Sequence, residues 1–516
     1  MNLIFSFCSS DKLFIVLKIC FIGIQMILSI DQGTTGTTVF IFNKDGETCA
    51  SAYNEFTQIY PKPSWVEHNP IEIWENVQKT ISEALQRASL SAKEISAIGI
   101  TNQRETTVVW NKYTGEPVYN AIVWQCRRTA DICLSITQDG KSEWIHKKTG
   151  LVVDAYFSAT KIQWILNQSE NIKKSAENNE LLFGTIDTWL IWKFTNGQVH
   201  ATDHTNASRT LLYNIEKKCW DDELLAFFNI PITLMPNIQN SASHFGKTRI
   251  KGFDEIPITG VAGDQQAALF GQQCVTQGEA KNTYGTGCFM LMYIGNKLSL
   301  SNNGLLTTIA CNADGAPAYA FEGSVFNAGS AVQWLRDELE LITSASETEK
   351  IAQSVDSTNG VYMVPAFTGL GAPYWDMNAR AHITGLTRGT GKKHIVRATL
   401  ESIAYQTKDV LDLMEKESGV SLTKLNVDGG ACANNFLMQF QADVINKTVV
   451  RPKHVESTVI GAALLAGIGA SIWEKEKLPE QLHKKDKLFY PQTPKTEIDL
   501  LISGWKEAVS KTLSTS

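Results

Sequence analysis

An α/β chain made of two related halves is what this sequence predicts, and three observations carry the prediction. Short β-rich apolar runs alternate with stretches of helical periodicity through the 516 residues, the pattern of strands crossed by helices. Glycine-rich loops follow strand-like runs three times, at Gly33–Gly36, Gly285–Gly287 and Gly429–Gly430. The second half also repeats the grammar of the first, with a Gly/Thr loop between apolar runs and, further on, a strand ending in small residues.

Taken in order, Ile27–Ile30 and Val39–Phe42 flank the loop from Asp31 to Thr38, and Asn43-Lys44-Asp45-Gly46 gives a turn after the second run. The reading is strand, loop, strand. Small residues let backbone N–H groups and threonine hydroxyls approach phosphate oxygens, and an acid at a strand end can hold a hydrated Mg²⁺. The loop has neither the Gly-Lys-Ser/Thr of a Walker motif nor a G-x-G-x-x-G, and alone it fits an ordinary hairpin turn equally well. Asn69-Pro70 offers an N-cap and first helical residue ahead of Ile73, Trp74, Val77, Ile81 and Leu85 at helical spacing. Ile95–Ile100 reads as a strand that delivers Arg104 and Glu105 near its end; Val108–Trp110 and Ala121–Gln125 read as extended, and helices are expected at Thr160–Asn167 and Leu181–Phe194. In the second half, Pro257–Gly263 leads to Asp264 and a helix-compatible Gln265–Phe270, then Lys281–Met292 brings the second Gly/Thr loop ahead of an apolar strand. Leu425–Asp428 ends in Gly429-Gly430, a joint that lets backbone approach a nucleotide, and Asn434–Val444 follows with helical character. Glu474–Lys487 reads as a charged, solvated surface.

Composition narrows the function. With 43% apolar and 19% charged residues and a net charge of −6, the chain has the profile of a soluble small-molecule enzyme, and no basic stripe argues for nucleic acid. The ten cysteines form no C-x-x-C pair and the nine histidines no metal spacing, which suits reduced thiols in the cytoplasm. Residues 1–25 hold apolar runs interrupted by Asp11, Lys12 and Lys18, a poor spanning helix without the basic start or cleavage site of a signal peptide. Met26 directly precedes the first core strand, so the expectation is an extension from a start called too far upstream, against a membrane-associating helix; no stable membrane insertion is expected. Mass spectrometry of the native N-terminal peptide separates the two.

Three glycine loops at strand ends point to a nucleotide held between two halves, and hence to a phosphotransferase or ATPase, chemistry that asks for positioning, charge neutralisation and a carboxylate to take a hydroxyl proton. Asp31 and Asp264 are the candidate acids, Asp31 beside the phosphate loop and Asp264 where a substrate could lie. A helix N-cap is the competing reading of Asp264. Arg104 with Glu105 offers the donors and acceptors that a polyol needs, or else a surface ion pair. Trp124 and Phe289 can wall a carbon skeleton or simply fill the core, and Tyr156 is open in the same way.

At these residues the chain resembles the glycerol-phosphorylating members of the FGGY family of carbohydrate kinases, which share the actin-like (ribonuclease H-like) ATPase fold. The resemblance runs from Met26 onward through Ile59–Pro63, Trp65–His68, Gly99–Thr106, Asn120–Arg128, Ala262–Gln266, Lys281–Met290 and Pro365–Trp375. It implies two actin-like domains, 26–272 on the acceptor and phosphate side and 273–516 on the nucleotide side, with the active site in the cleft between them, and ATP-dependent phosphorylation of glycerol to sn-glycerol 3-phosphate. By position it implies that Arg104, Glu105, Tyr156, Asp264 and Gln265 bind glycerol, that Trp124 and Phe289 line its carbon face, and that Asp264 is the general base. ATP would be held by Thr34, Thr35, Gly36, Thr286, Gly329, Gln333, Gly430 and Asn434, Mg²⁺ by Asp31, and the chain would form a homo-oligomer, a dimer or tetramer. Where many relatives carry Ser-Ser-Arg, this chain has Gly36-Thr37-Thr38, and its Lys247–Phe253 segment lacks the glycine run that binds fructose 1,6-bisphosphate in some bacterial relatives; altered nucleotide affinity and no such control are the expectations. A sister kinase acting on xylulose and an actin-like ATPase that switches shape are the rival readings.

Overall fold

The computed structural model describes residues 25–453 and 456–514, so the extension expected over residues 1–25 lies, apart from Gln25, outside the described residues. The first sheet begins with an antiparallel meander of β1 (Met26–Gln32), β2 (Gly36–Asn43) and β3 (Thr48–Glu55). Ile27, Leu28 and Ile30 of β1 are fully buried, which marks a strand covered on both faces. α1 (Pro70–Ala88) then crosses to β4 (Ile95–Asn102), parallel to β1. Asn69 caps α1 by accepting from the Ile71 N–H, Pro70 opens its first turn, and left-handed Ser89 closes it. Its Ile73, Trp74, Val77, Ile81 and Ala84 are buried with β1 and β2 in one apolar cluster, at about 1.5–3 kcal/mol for each large side chain.

A smaller region is carried between β4 and the sheet's last strands. It holds α2 (Ser158–Leu166) and α3 (Ile186–Phe194). The helix expected over Leu181–Phe194 is two elements: Leu181–Gly184 is a strand paired antiparallel with Val108–Asn111, and only from Ile186 is the chain helical. Leu181 and Phe183 are buried in one apolar cluster while Trp110 meets Trp189 of the helix edge to face, a tertiary pairing that overrides the helical reading of a short apolar run. Of the strand expected at Ala121–Gln125 only Ala121–Ile122 is paired, because the chain turns at Val123 with Cys126 N–H bonded to its carbonyl at 2.9 Å. β5 (Lys247–Ile250) and β6 (Phe253–Gly263) form a tight hairpin, and β6 lies parallel to β4, giving the order β5-β6-β4-β1-β2-β3. α4 (Asp264–Gly271) follows β6 directly.

The second sheet contains β7 (Glu279–Tyr284), β8 (Cys288–Gly295), β9 (Leu306–Cys311), β10 (Pro317–Val325), β11 (Lys424–Asp428), β12 (Thr448–Pro452) and β13 (Lys485–Phe489), in the order β9-β10-β8-β7-β11-β12-β13. Its centre repeats the first: an antiparallel hairpin, β7–β8 for β1–β2, flanked by a parallel strand, β11 for β4, and a further parallel one, β12 for β6. The two hairpin loops close alike, Gly33 N–H on the Gly36 carbonyl at 3.0 Å and Gly285 N–H on that of Gly287 at 2.9 Å. α5 (Gly329–Asp337), α6 (Lys392–Ser418) and α7 (Asn435–Ile445) cover this half. The charged stretch Glu474–Lys487 is not wholly solvated, since Leu482 is buried and Lys485–Lys487 open β13, the sheet edge.

The last long-range link is α8 (Ser457–Gly469), which comes late in the chain yet lies across the first sheet and α4. Ser29 donates to the Val459 carbonyl at 2.7 Å and Thr259 to that of Ala466 at 2.8 Å. The approach is close enough that a Cβ on Gly461 would stand 1.8 Å from the Ala267 carbonyl oxygen, so only glycine fits. Among the described residues no helix is long and apolar enough to cross a membrane.

Candidate active site

β4 ends the first sheet's central run, and the chain turns away through Gln103, Arg104 and Glu105. Glu105 adopts φ +60°, a left-handed conformation that an ordinary residue keeps only where its surroundings enforce it. Ser158 Oγ and Thr107 Oγ1 do so, donating to the Glu105 carbonyl at 3.0 and 3.1 Å. The pair is therefore not a surface ion pair: Arg104 is 3% and Glu105 1% exposed. Their strongest partners are not each other. Glu105 Oε1 accepts from Arg209 Nε at 2.6 Å but lies 3.7 Å from Arg104 Nε, and Oε2 has no partner among the described residues. Burial outweighs both arginines and raises the Glu105 carboxyl above its usual range.

Arg104 reaches a carboxylate from the second sheet, Glu322 of β10, at 2.7 and 3.1 Å. Although burial opposes it, Arg104 and Arg209 hold Glu322 down to about 2. Arg104 Nη2 also lies 3.4 Å from the Tyr156 hydroxyl, and Lys161 of α2 fixes Tyr156 by donating to its carbonyl at 2.5 Å.

Asp264 is the first residue of α4, not its N-cap, which is Gly263. Its Oδ1 accepts from the Gln265 N–H at 2.6 Å and stands 3.1 Å from Arg104 Nε. The side chain is 30% exposed, so a reacting group can reach it. Gln265 Oε1 accepts from Lys281 of β7, whose Nζ also donates to Thr283 Oγ1 at 2.9 Å. Burial lowers the Lys281 ammonium below its usual range. Phe289 sits opposite Thr283 and Ser324 in register, on the sheet face that also carries Lys281 and Glu322. Across the cleft Trp124 meets Tyr156 edge to face at 5.5 Å and donates Nε1 to Thr34 Oγ1 at 3.0 Å. The acceptor candidates thus converge, and Thr34 ties them to the first loop.

In that loop Thr35 is exposed and Gly36 buried, where a Cβ would meet the Tyr53 ring at 2.6 Å. Thr38 lies opposite Asp31 in the hairpin. Thr458 of α8 donates to Asp31 Oδ2 at 2.7 Å. Burial, with smaller contributions from Asp264 and Glu456, overrides that bond and pushes Asp31 up to about 7. Beyond the second loop lies a cavity of about 450 Å³ lined by Thr286, Gly329, Gln333, Gly430 and Asn434, with Leu400, Ile403 and Leu437 as its apolar wall. A Cβ on Gly430 would meet nothing within 4 Å. Asn434 spends its side chain on the fold: it caps α7 through the Leu437 N–H at 3.0 Å and donates to Thr348 at 3.1 Å.

Residues 26–271 match the N-terminal domain of the FGGY family of carbohydrate kinases and residues 280–470 its C-terminal domain. The chain belongs to the FGGY family of carbohydrate kinases. This FGGY kinase is 56% identical over 491 residues to the glycerol kinase of Fusobacterium nucleatum, covering 95% of this chain and 99% of that one. It is 55% identical to that of Haemophilus influenzae, with 95% and 98% covered. The crystal structure of Plasmodium falciparum glycerol kinase with ADP superposes with a TM-score of 0.91 at 39% identity, covering 96% of this chain and 99% of that one. A xylulose kinase from Lactobacillus acidophilus shares the fold, with a TM-score of 0.84 at 22% identity over 94% and 97%. The two actin-like sheets of this FGGY kinase are thus a family architecture.

The sequence reading missed Arg209, Glu322, Lys281 and Thr458. Glu322 does leave a trace, as the single charge of a largely apolar strand, where burial forces it to have a partner, while Lys281 lies in a polar strand beside Glu279 and leaves none. Arg209, in the turn after a short helix, and Thr458 leave none.

Proposed function

We propose that this FGGY kinase transfers the γ-phosphoryl group of ATP to glycerol, giving sn-glycerol 3-phosphate. The observation that carries the reading is the cluster that Arg104 gathers around itself, with Glu105, the Tyr156 hydroxyl and the accessible Asp264 within 4 Å of its guanidinium and Trp124 edge to face with Tyr156. A three-carbon triol matches that set, with hydroxyls for the polar groups and a short carbon face for the aromatic ones. The high identity to glycerol kinases supports it.

Arg104 and Glu105 orient the acceptor, Gln265 and Tyr156 bind its remaining hydroxyls, and Asp264 takes the proton from a terminal hydroxyl as that oxygen attacks in line. Arg104 Nε, 3.1 Å from Asp264, keeps that carboxylate aimed. Thr34, Thr35 and Gly36 on one side, with Thr286, Gly329, Gln333, Gly430 and Asn434 on the other, hold the nucleotide, and the domains 26–272 and 273–516 close on it, excluding competing water. Among the described residues no cluster of three or more His, Cys, Asp or Glu side chains encloses a metal. Mg²⁺ nevertheless fits, because it binds through one or two carboxylates plus phosphate oxygens, and Asp31 is a desolvated carboxyl whose charge lacks a cation. When bound there, Mg²⁺ neutralises charge on the phosphates. The eight described cysteines are unpaired, which supports a reducing cytoplasm, and a homo-oligomer is the expected assembly.

Steady-state ADP release without acceptor, with glycerol and with xylulose tests the reading. Glycerol-dependent release is expected. Faster turnover with xylulose would reassign the acceptor, and strong acceptor-independent release would favour an ATPase switch.

A further inference from the structure

Glu322 stands in β10 among Ala318, Ala320, Phe321 and Val325 and is 4% exposed. A carboxylate in such a strand is costly unless its charge is matched, and here the match comes from the other half of the molecule. Arg104 grips it with two nitrogens, Nη1 on Oε2 at 2.7 Å and Nη2 on Oε1 at 3.1 Å. Arg209, fully buried, adds Nη2 on Oε1 at 3.0 Å and carries Nε to Glu105 Oε1 at 2.6 Å. Two arginines and two glutamates close into one cluster, with Asp264 at its edge 3.1 Å from Arg104, and of the four Glu322 alone belongs to the second sheet. Arg209 Nη1 has no hydrogen-bond partner among the described residues, and its guanidinium lies 5.3 Å from the Phe157 ring centroid, a cation–π contact that helps hold it.

We infer that Glu322 is a positioning residue for the acceptor, acting from across the cleft through Arg104 and Arg209. This rests on reading the Arg104 cluster as the acceptor site. With Nη1 and Nη2 committed to Glu322, the guanidinium of Arg104 cannot rotate, and its Nε is left facing Asp264. With Oε1 of Glu105 committed to Arg209, Oε2 is left for a substrate hydroxyl. Arg104 is thus held from both halves, at 2.7 and 3.1 Å by Glu322 of the second sheet and at 3.2 and 3.4 Å by Gln266 Oε1 and the Tyr156 hydroxyl of the first, which couples acceptor affinity to the position of the nucleotide-side half. Glutamine at 322 would keep the volume and lose the charge, leaving the two adjacent guanidinium groups with Glu105 between them and Asp264 on Arg104 alone.

The test compares Glu322→Gln and Glu322→Asp with the wild-type enzyme in steady-state ADP release, titrating glycerol or xylulose at saturating ATP, and ATP at saturating acceptor. In Glu322→Gln, kcat/KM for the acceptor is expected to fall about 10²-fold, as misplacement of binding groups by about 1 Å does, chiefly through KM of the acceptor and with KM for ATP unchanged. Glu322→Asp keeps the charge and is expected to recover part of the loss. A lowered melting temperature with unchanged acceptor KM would mark Glu322 as structural only and overturn the inference. Should Glu322→Gln fail to fold, Glu322→Asp decides, since its shorter reach raises acceptor KM if the inference holds and leaves it unchanged if not. A wild-type enzyme that uses xylulose and ignores glycerol overturns the substrate reading alone, and the same comparison in xylulose then judges Glu322.

Discussion

Alanine at Gly461 tests how closely the two candidate acids, Asp31 and Asp264, depend on a contact between α4 and α8. The added Cβ would stand 1.8 Å from the Ala267 carbonyl oxygen, 2.6 Å from its carbonyl carbon and 3.0 Å from its Cα. These are backbone atoms inside α4, so no side chain can swing aside. To reach an ordinary contact of about 3.5 Å, α8 and α4 must separate by roughly 1.5 Å. α4 begins at Asp264, and α8 carries Thr458, which holds Asp31 through a 2.7 Å hydrogen bond, so the displacement reaches both acids. Overpacking of this kind costs about 1–3 kcal/mol of stability or more, and a shift of about 1 Å at the chemistry costs about 10²-fold in rate. The expected result for Gly461→Ala is a kcat lowered about 10²-fold in a coupled ADP assay, with a lower melting temperature. Wild-type kcat together with a wild-type melting temperature would refute the view that the α4–α8 contact sets the acids.

Asp264→Asn keeps the acceptor oxygen for the Gln265 N–H but not the base, so glycerol-dependent kcat is expected to fall 10²- to 10⁴-fold with the circular dichroism spectrum unchanged; near-full turnover would remove Asp264 from the mechanism. Gly430→Ala places a methyl where no protein atom beyond its chain neighbours lies within 4 Å, on the wall of the cavity beyond the second loop; stability within about 0.5 kcal/mol and a raised KM for ATP at unchanged glycerol KM are expected from thermal melts and initial rates. Asp187 is pushed up to about 7 by burial and then by Asp203, against hydrogen bonds from Thr185 and from Thr202 at 2.6 Å. Its native pKa lies above the unfolded value of about 3.8, so its contribution to stability is full below pH 4 and is lost as pH rises through 7. Relative to Asp187→Asn, the wild-type protein should lose up to roughly 4 kcal/mol between pH 4 and 8; parallel melting-temperature profiles would contradict this.

Local signals were legible where a single stretch of chain supplies both the element and its reason. The Asn69-Pro70 cap and the stripe from Ile73 to Leu85 gave α1, and the Asp31–Thr38 loop between apolar runs gave the β1–β2 hairpin. The Leu181–Phe194 run was misread because a short apolar segment has no period of its own, and its first half is a strand only through pairing with Val108–Asn111. In the site, residues carried by glycine loops or polar joints stood out, whereas Arg209 and Glu322 did not, since their significance is a contact between residues 113 positions apart.

By itself the sequence determined the two-halved α/β architecture, the three glycine loops and the candidates Asp31, Arg104, Glu105 and Asp264, because loop chemistry and hydrophobic period are local properties of the chain. Only the tertiary structure decided that Asp264 is the opening residue of α4 and not its cap, that Arg104 and Glu105 are buried and paired to Glu322 and Arg209, and that α8 returns to hold Asp31 through Thr458. The physical reason is that the cost of burying a charge is met by whichever opposite charge the fold brings near, and distance along the chain says nothing of that.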